Sequence, residues 1–548
     1  MVFPSSKEPR VAPIVAAEKI IADISSGLYR SPAAALKELV SNAYDADATE
    51  VKIDTDVPNF RTLVITDNGC GMTIDKFLDV MNHIGGSRKR ITGGDVTDRG
   101  RKLIGRIGIG LLAVAQLGYR FYVTSSTKNS PTRFIAEVDL TAFHKDDAAL
   151  ISMGKMSADT RKDQVTIGAI KYVDGIPEDP DVQYTAITVP DVKQGLISEI
   201  THDMREMVGA EEELSIHKKI VKDFNEIIEI TRSAKRLDTQ FDGYYFMLWE
   251  LAQLSPLNYS QFGPIERIDR NIEGYDAVKK IPKIKDFKLY VDGMELLRPQ
   301  LFPSKAALGY LSFDPKVYPV SFDEQVSGRQ LKFVGYIYAQ KPRIDPEELR
   351  GLHIRIRDVG IGKYDRTWLG YPFDEGIKFG QITGEIFIEY GLEDALNIDR
   401  DSFRETDVHY QAMRAYIWDK LSSEIFPDFK RRQKEFTATK KDREHYDLEN
   451  SLDEIVSQLS TPMHFEKTLA VDSIKNPTIS NWIEVNEESI LFVKDKWKQF
   501  ITDCGLTSSD AQDRFIRVIK VLLSNEYLKS MPEDEVNILL HALAIAVQ

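Results

Sequence analysis

The chain has 548 residues, 42% of them hydrophobic, 28% charged and 10% aromatic. That composition builds a globular core and excludes a chain disordered throughout. Its net charge of −14, from 71 Lys and Arg against 85 Asp and Glu, disfavours broad non-specific nucleic-acid binding, because phosphate affinity comes from neutralising cations. At roughly 150 residues per domain, about three or four domains are expected. No run approaches the ~20 apolar residues of a membrane span. The opening MVFPSSKEPRVAP lacks the charged start and apolar stretch of a secretory signal. Two cysteines, Cys70 and Cys504, supply neither a disulfide framework nor a zinc site. A reduced, cytoplasmic protein without membrane contact is expected.

In chain order, the first informative segment is RSPAAALKELVSNAYDADATEVKI. Ser31 followed by Pro32 predicts a helix start, with Ser as cap and Pro at the first helical position. Leu36, Leu39, Val40, Ala43 and Tyr44 then form one apolar stripe. Glu38, Asn42 and Asp45 share a narrow arc opposite it. A solvated helix face is one reading. The other is chemical: a carboxylate, an amide and a second carboxylate on one face offer a general base, a cation ligand and a donor-acceptor partner.

Next comes RTLVITDNGCGMT. Leu63 to Thr66 reads as a buried strand, with Asp67 at its end before the turn Gly69-Cys70-Gly71. A carboxylate there can accept from an exocyclic amine such as that of adenine, and the glycines would let the backbone approach a ligand. An ordinary Asp-Asn-Gly turn is the alternative.

From Ser87 to Arg106 seven basic residues meet two acids, as in a flexible lid able to face a triphosphate. It runs into Gly105, Gly108 and Gly110, a Gly-x-x-Gly-x-Gly loop opening an apolar helix from Leu111 to Leu117. Successive N–H groups at a helix N-terminus suit a phosphate. No Walker loop occurs, and no strand stands directly before these glycines as a dinucleotide fingerprint requires.

In this order the three elements resemble the GHKL ATPase superfamily of gyrase, the heat-shock chaperone of ninety kilodaltons, histidine kinases and MutL. The resemblance is close over about residues 14–190. It implies ATP and Mg²⁺, with Glu38 deprotonating the attacking water, Asn42 ligating Mg²⁺, Asp45 near the ribose or phosphates, and Asp67 holding the adenine amine. Gly69, Gly71, Met72, Lys102, Gly105, Gly108 and Gly110 would complete the nucleotide contacts. The family's Gly-Thr-x-Ile motif appears as Tyr184-Thr185-Ala186-Ile187; Thr185 matches, and Tyr184 departs from the Gly. GLEDALNIDRDSFRE, residues 391–405, looks like the chaperone's middle-domain segment and would place Arg400 on the γ-phosphate. A surface Arg in an acidic turn is the other reading.

The expected architecture is α/β: a Bergerat-fold sandwich over 1–195, a helical connector over 196–285, a transducer-like α/β domain over 286–428 and a helical region over 429–548. Within the connector, YYFMLWELAQLSPLNY predicts a buried helix ended by Pro256. FKLYVDG, LKFVGYIYA, LHIRIRDVGIG and GEIFIEYG are the strands assigned to the third part. IGGSRKR and IGRIGIG also look like MORC-type and other prokaryotic heat-shock-like ATPases, which implies an ATP-gated homodimeric clamp on a protein client or nucleic acid. Some such relatives serve antiviral defence. A non-hydrolytic nucleotide-dependent scaffold and an ATPase subunit of a DNA-processing complex are the alternatives. A sensor histidine kinase is not expected, because the pocket begins near residue 30 and leaves no room for a phosphoacceptor hairpin. The basic run Lys430 to Arg443 reads as a solvated helix or as a contact to nucleic acid or an acidic partner. VNILLHALAIAV, residues 536–547, reads as a core helix or as a pairing surface for a second copy.

Overall fold

In the computed structural model the described residues are 7–17, 31–82, 96–101, 103, 113–140, 164–203, 223–260, 264, 272–281, 283–284, 286–300, 302, 313–397, 401–438, 483–485, 490–492, 494–506, 508–523 and 532–546. They divide into two compact units, 1–433 and 434–548.

The first unit is built on two sheets. One has nine strands: β1 (Arg10–Ala17), β2 (Glu50–Asp54), β3 (Leu63–Asp67), β4 (Arg120–Ser126), β5 (Thr132–Asp139), β6 (Gln164–Pro177), β7 (Tyr184–Val189), β8 (Lys288–Val291) and β9 (Met294–Glu295). Their spatial order is β1-β6-β5-β4-β7-β3-β2-β8-β9. Every pairing is antiparallel except β2 with β8. The helix α1 (Pro32–Asp45) begins as the sequence predicts, with the Ser31 hydroxyl accepting from the Ala34 amide and Pro32 in the first turn. Helix α2 (Ile74–Asn82) follows the β3 turn.

Burial of α1 goes beyond its apolar stripe. Lys37, Glu38 and Ser41 are buried as well as Leu36, Leu39 and Val40. The cover comes from α3 (Gly243–Leu254), the aromatic run, which packs on α1. Apolar on nearly every side, α3 buries Leu248, Trp249 and Leu251 in the same core as Ala33 to Tyr44. Ser255 closes it one residue before Pro256. The connector helix is therefore part of the N-terminal core. FKLYVDG, grouped by its sequence with the later strands, is β8 and adds to β2 in the first sheet. A parallel partner more than two hundred residues away leaves no local trace in the sequence.

The second sheet has five strands: β10 (Lys316–Val326), β11 (Arg329–Ala339), β12 (Gly351–Ile356), β13 (Val359–Asp365) and β14 (Ile382–Tyr390), in the order β10-β11-β14-β12-β13. A buried ion pair joins β12 to β14, and Tyr259 from the segment after α3 meets it. Arg355 Nε donates to Glu385 at 2.8 Å, and the hydroxyls of Tyr336 and Tyr259 donate to the same carboxylate. Burial opposes the charge on Glu385, but Arg355 and its neighbours outweigh it and hold the carboxyl well below the ordinary range.

The second unit holds the short pair β15 (Ile483–Val485) and β16 (Ile490–Phe492), then α4 (Lys494–Asp503), α5 (Ser509–Leu523) and α6 (Glu533–Ala546). Val536, Leu540 and Ala544 of α6 bury against a cluster containing Trp497, Phe500 and Phe515. Ile538 is 70% exposed. Thus α6 spends one stripe on its own unit's core. Among the described residues no helix is long and apolar enough to cross a membrane.

Placing α3 in the N-terminal core predicts the cost of emptying it. Leu248, fully buried, should lose about 2–5 kcal/mol of stability on Leu248→Ala. Urea unfolding followed by circular dichroism measures this, and a loss below about 1 kcal/mol would separate α3 from that core.

Candidate functional site

Helix α1 and the turn after β3 face one another across the sheet's end, and backbone chemistry holds them there. The Asn68 amide oxygen accepts from the amides of Thr49 and Glu50 at 2.8 and 2.9 Å. Cys70 N donates to Ala46 O at 2.8 Å. The two glycines of the turn serve this docking. A Cβ on Gly69 would lie 2.7 Å from Ala46 O. On Gly71, where φ is +65°, it would lie 2.0 Å from Ser126 O. The protein's own backbone approaches both glycines this closely.

Asp67 ends β3 in register with Thr185 of β7, and the Gly69 amide donates to its Oδ1 at 2.9 Å. It keeps some exposure, yet burial pushes its carboxyl up to about 6 against the opposing pull of the Gly69 and Thr185 amides. The residue that sequence reasoning missed is Ser125. Its hydroxyl donates to Tyr184 O at 2.7 Å and accepts from Met72 N at 2.9 Å. With that proton committed, Thr185 is the donor in the 3.2 Å contact between the two hydroxyls. A serine at a strand end, dozens of residues from its partners, carries no spacing signal. Tyr184 fits in place of Gly because its hydroxyl turns to Glu178 and Arg133, at 2.9 and 3.2 Å, while its carbonyl serves Ser125.

On α1, Glu38 is 1% exposed, which removes the solvated-face reading for it. Asn42 and Asp45 are half-buried on the same helix. Lys37 Nζ lies 3.4 Å from Glu38 Oε1 and 3.4 Å from Asp401 Oδ1. Asp401 belongs to a loop closed by Asn397 N on Ser402 O at 3.0 Å and Arg404 N on Ala395 O at 2.7 Å. Glu250 of α3 adds a nearby buried carboxyl, raised by that burial. The structure thus brings Asp67, Gly69, Gly71, Met72 and Thr185 together at one end of the first sheet, while Glu38, Asn42 and Asp45 share helix α1. Lys102, Gly105, Gly108, Gly110 and Arg400 lie outside the described residues.

The first three cations of the basic run Lys430 to Arg443 are engaged within the first unit, and Lys440, Lys441 and Arg443 lie outside the described residues. Lys430 lies 3.8 Å from Glu375 and Arg431 2.5 Å from Asp428. Arg432 donates to Asp314 O and stacks over Phe313.

A carboxylate at the end of an antiparallel strand and a buried glutamate on the helix packed beside it are set in an α/β sandwich. Residues 29–166 match the family described as histidine kinase-, DNA gyrase B- and HSP90-like ATPase, and the chain carries a domain of this GHKL superfamily. It is 37% identical over 114 residues to a putative type II restriction enzyme, HgiDII, of Herpetosiphon aurantiacus, covering 20% of this chain and 18% of that protein. It is 32% identical over 137 residues to the mitochondrial TNF receptor-associated protein 1 homolog of Dictyostelium discoideum, covering 21% and 19%. With the DNA mismatch repair protein MutL of Syntrophotalea carbinolica it shares 40% over 68 residues, 12% of this chain and 11% of that one. The chain spans less than a fifth of the length of each of these curated relatives.

Two predictions follow from the turn. Gly71→Ala should destabilise by roughly 2–4 kcal/mol, combining left-handed backbone cost with a backbone clash; thermal unfolding shows it. Asp67 binds its proton more tightly folded than unfolded, so its contribution is greatest at low pH and declines as pH rises from about 4 to about 6. Stability of the wild type minus that of Asp67→Asn should therefore fall across that window. A flat difference would place Asp67 in an ordinary exposed turn.

Proposed function

We propose that this chain binds ATP between α1 and the Asp67 turn and hydrolyses it by in-line attack of water. The observation that carries the reading is a buried Glu38 on the helix against whose end the Asp67 turn is docked. Asp67 would accept from that amine, with Thr185 and Ser125 fixing the strand ends around it. Glu38 would take the water's proton as the phosphorus–oxygen bond to ADP breaks. Asn42 offers one amide oxygen to a cation, with Asp45 one turn away. Among the described residues no group of three or more His, Cys, Asp and Glu could hold a metal. That donor set fits Mg²⁺, which keeps its waters and binds through one or two protein oxygens plus phosphates. When bound with the nucleotide, Mg²⁺ would neutralise phosphate charge.

Asp401 beside Lys37 brings the chain neighbour of Arg400 close to Glu38, which supports Arg400 as a γ-phosphate contact from the second sheet's loop. Nucleotide-dependent contacts of that kind can drive a two-state change. We carry this to a homodimer whose closure clamps or remodels a protein or nucleic-acid partner, with a role in prokaryotic defence as one setting. One observation favours a second reading, the nucleotide-gated scaffold with little turnover: the Glu38 carboxylate is already engaged by the Lys37 ammonium at 3.4 Å.

Glu38→Ala should retain ATP binding by calorimetry and lose turnover by about 10²–10⁴ in a phosphate-release assay. Asn42→Ala should weaken Mg²⁺-ATP binding itself. ATP should bind more tightly than GTP, whose six-position oxygen offers Asp67 no donor. A wild type that binds ATP without releasing phosphate selects the scaffold.

A further inference from the structure

The seven cations between Ser87 and Arg106 look interchangeable in the sequence, but Arg101 is not presented to solvent: it is 9% exposed. Its Nη1 donates to Tyr44 O at 3.2 Å and to Ala48 O at 2.6 Å, and its Nη2 to Asp286 O at 2.9 Å. The guanidinium carbon lies 4.4 Å from the Tyr44 ring centre and 5.6 Å from that of Phe287. Tyr44 and Ala48 stand at the C-terminal end of α1, where carbonyls lack helical partners and a cation is favoured. Asp286 and Phe287 lead into β8. One side chain therefore joins three segments distant in sequence.

The turn that carries Arg101 is tied down a second time. Asp47, just past α1, accepts from the Thr97 hydroxyl at 2.5 Å through Oδ1 and from the Arg99 amide at 3.2 Å through Oδ2. Within the turn, Thr97 N donates to Arg101 O at 2.7 Å, Gly100 N to Thr97 O at 2.9 Å, and Arg101 N to the Thr97 hydroxyl at 3.1 Å.

We propose that Arg101 is a positioning residue, which pins the 97–101 turn to the end of the helix bearing Glu38 and Asn42 and to the chain entering β8. Arginine is required because its planar fork serves three carbonyls while its face stacks on two rings, which an ammonium cannot reproduce. The structural half is independent of ligand. The consequence for turnover depends on the ATP reading above.

Hydrogen exchange of the full chain, first without nucleotide, tests the structural half. In Arg101→Ala the amides of 97–101 should exchange about tenfold faster or more, with β4 and β5 unchanged. Arg101→Lys should not restore protection, and Thr97→Val should show the same loss from the other side of the turn. Unchanged exchange in both Arg101→Ala and Thr97→Val overturns the proposal; if Arg101→Ala fails to fold, Thr97→Val decides. In the functional arm, Arg101→Ala should keep its ADP affinity within about threefold while kcat falls about tenfold. Unchanged kcat with faster exchange overturns the coupling, and equal losses of affinity and kcat reduce Arg101 to a structural strut. A wild type without ATP turnover defeats the ATPase reading, and the exchange result still decides the anchor.

Discussion

The ammonium of Lys37 has no exposed surface, and carboxylates from two distant parts of the chain, Glu38 and Asp401, approach it equally. Removing an ammonium from water costs several kcal/mol, which only close, well-placed anions offset. The second-sheet loop and the helix carrying Glu38 are thereby made dependent on one another. Taking away either carboxylate leaves the other 3.4 Å from the ammonium, so only loss of both would strand a buried cation. Gly362 of β13 secures the loop from behind: a Cβ there would lie 2.5 Å from Asp401 O. The same cation thus touches both Glu38 and the loop that carries Asp401.

The facing wall is organised by backbone packing rather than charge. Gly69 meets Ala46 and Gly71 meets Ser126, so the turn holding Asp67 is wedged between the end of α1 and the end of β4. Ser125 then joins β4, β7 and Met72 through one hydroxyl. Raising the Asp67 pKa needs no charged neighbour in this setting, since enclosure by protein is its largest cause.

What the sequence made legible has a local cause. Ser31-Pro32 with the stripe from Leu36 to Tyr44 marks α1, and Asp67 before Gly-x-Gly marks the turn, because caps, periods and turns are properties of neighbouring residues. The close approach at Gly69 and Gly71 is visible in sequence, while the backbone partners Ala46 and Ser126 are not. Lys37 sits beside Glu38 yet gave no signal; its second partner is 364 residues away. Arg101 was counted among exposed cations because composition cannot distinguish a guanidinium facing phosphate from one facing carbonyls. FKLYVDG reads as a strand by alternation, but its sheet is chosen by a parallel pairing with β2.

The central claim is that the Asp67 turn and Glu38 are the two ends of one nucleotide site. A crystal structure with Mg²⁺ and a non-hydrolysable ATP analogue tests it most directly. The account predicts the adenine amine within hydrogen-bonding distance of the Asp67 carboxylate and the γ-phosphate on the Glu38 and Asn42 side. A nucleotide seated elsewhere, such as the groove lined by Tyr119, Lys193 and Glu199, with Asp67 uncontacted, would contradict it.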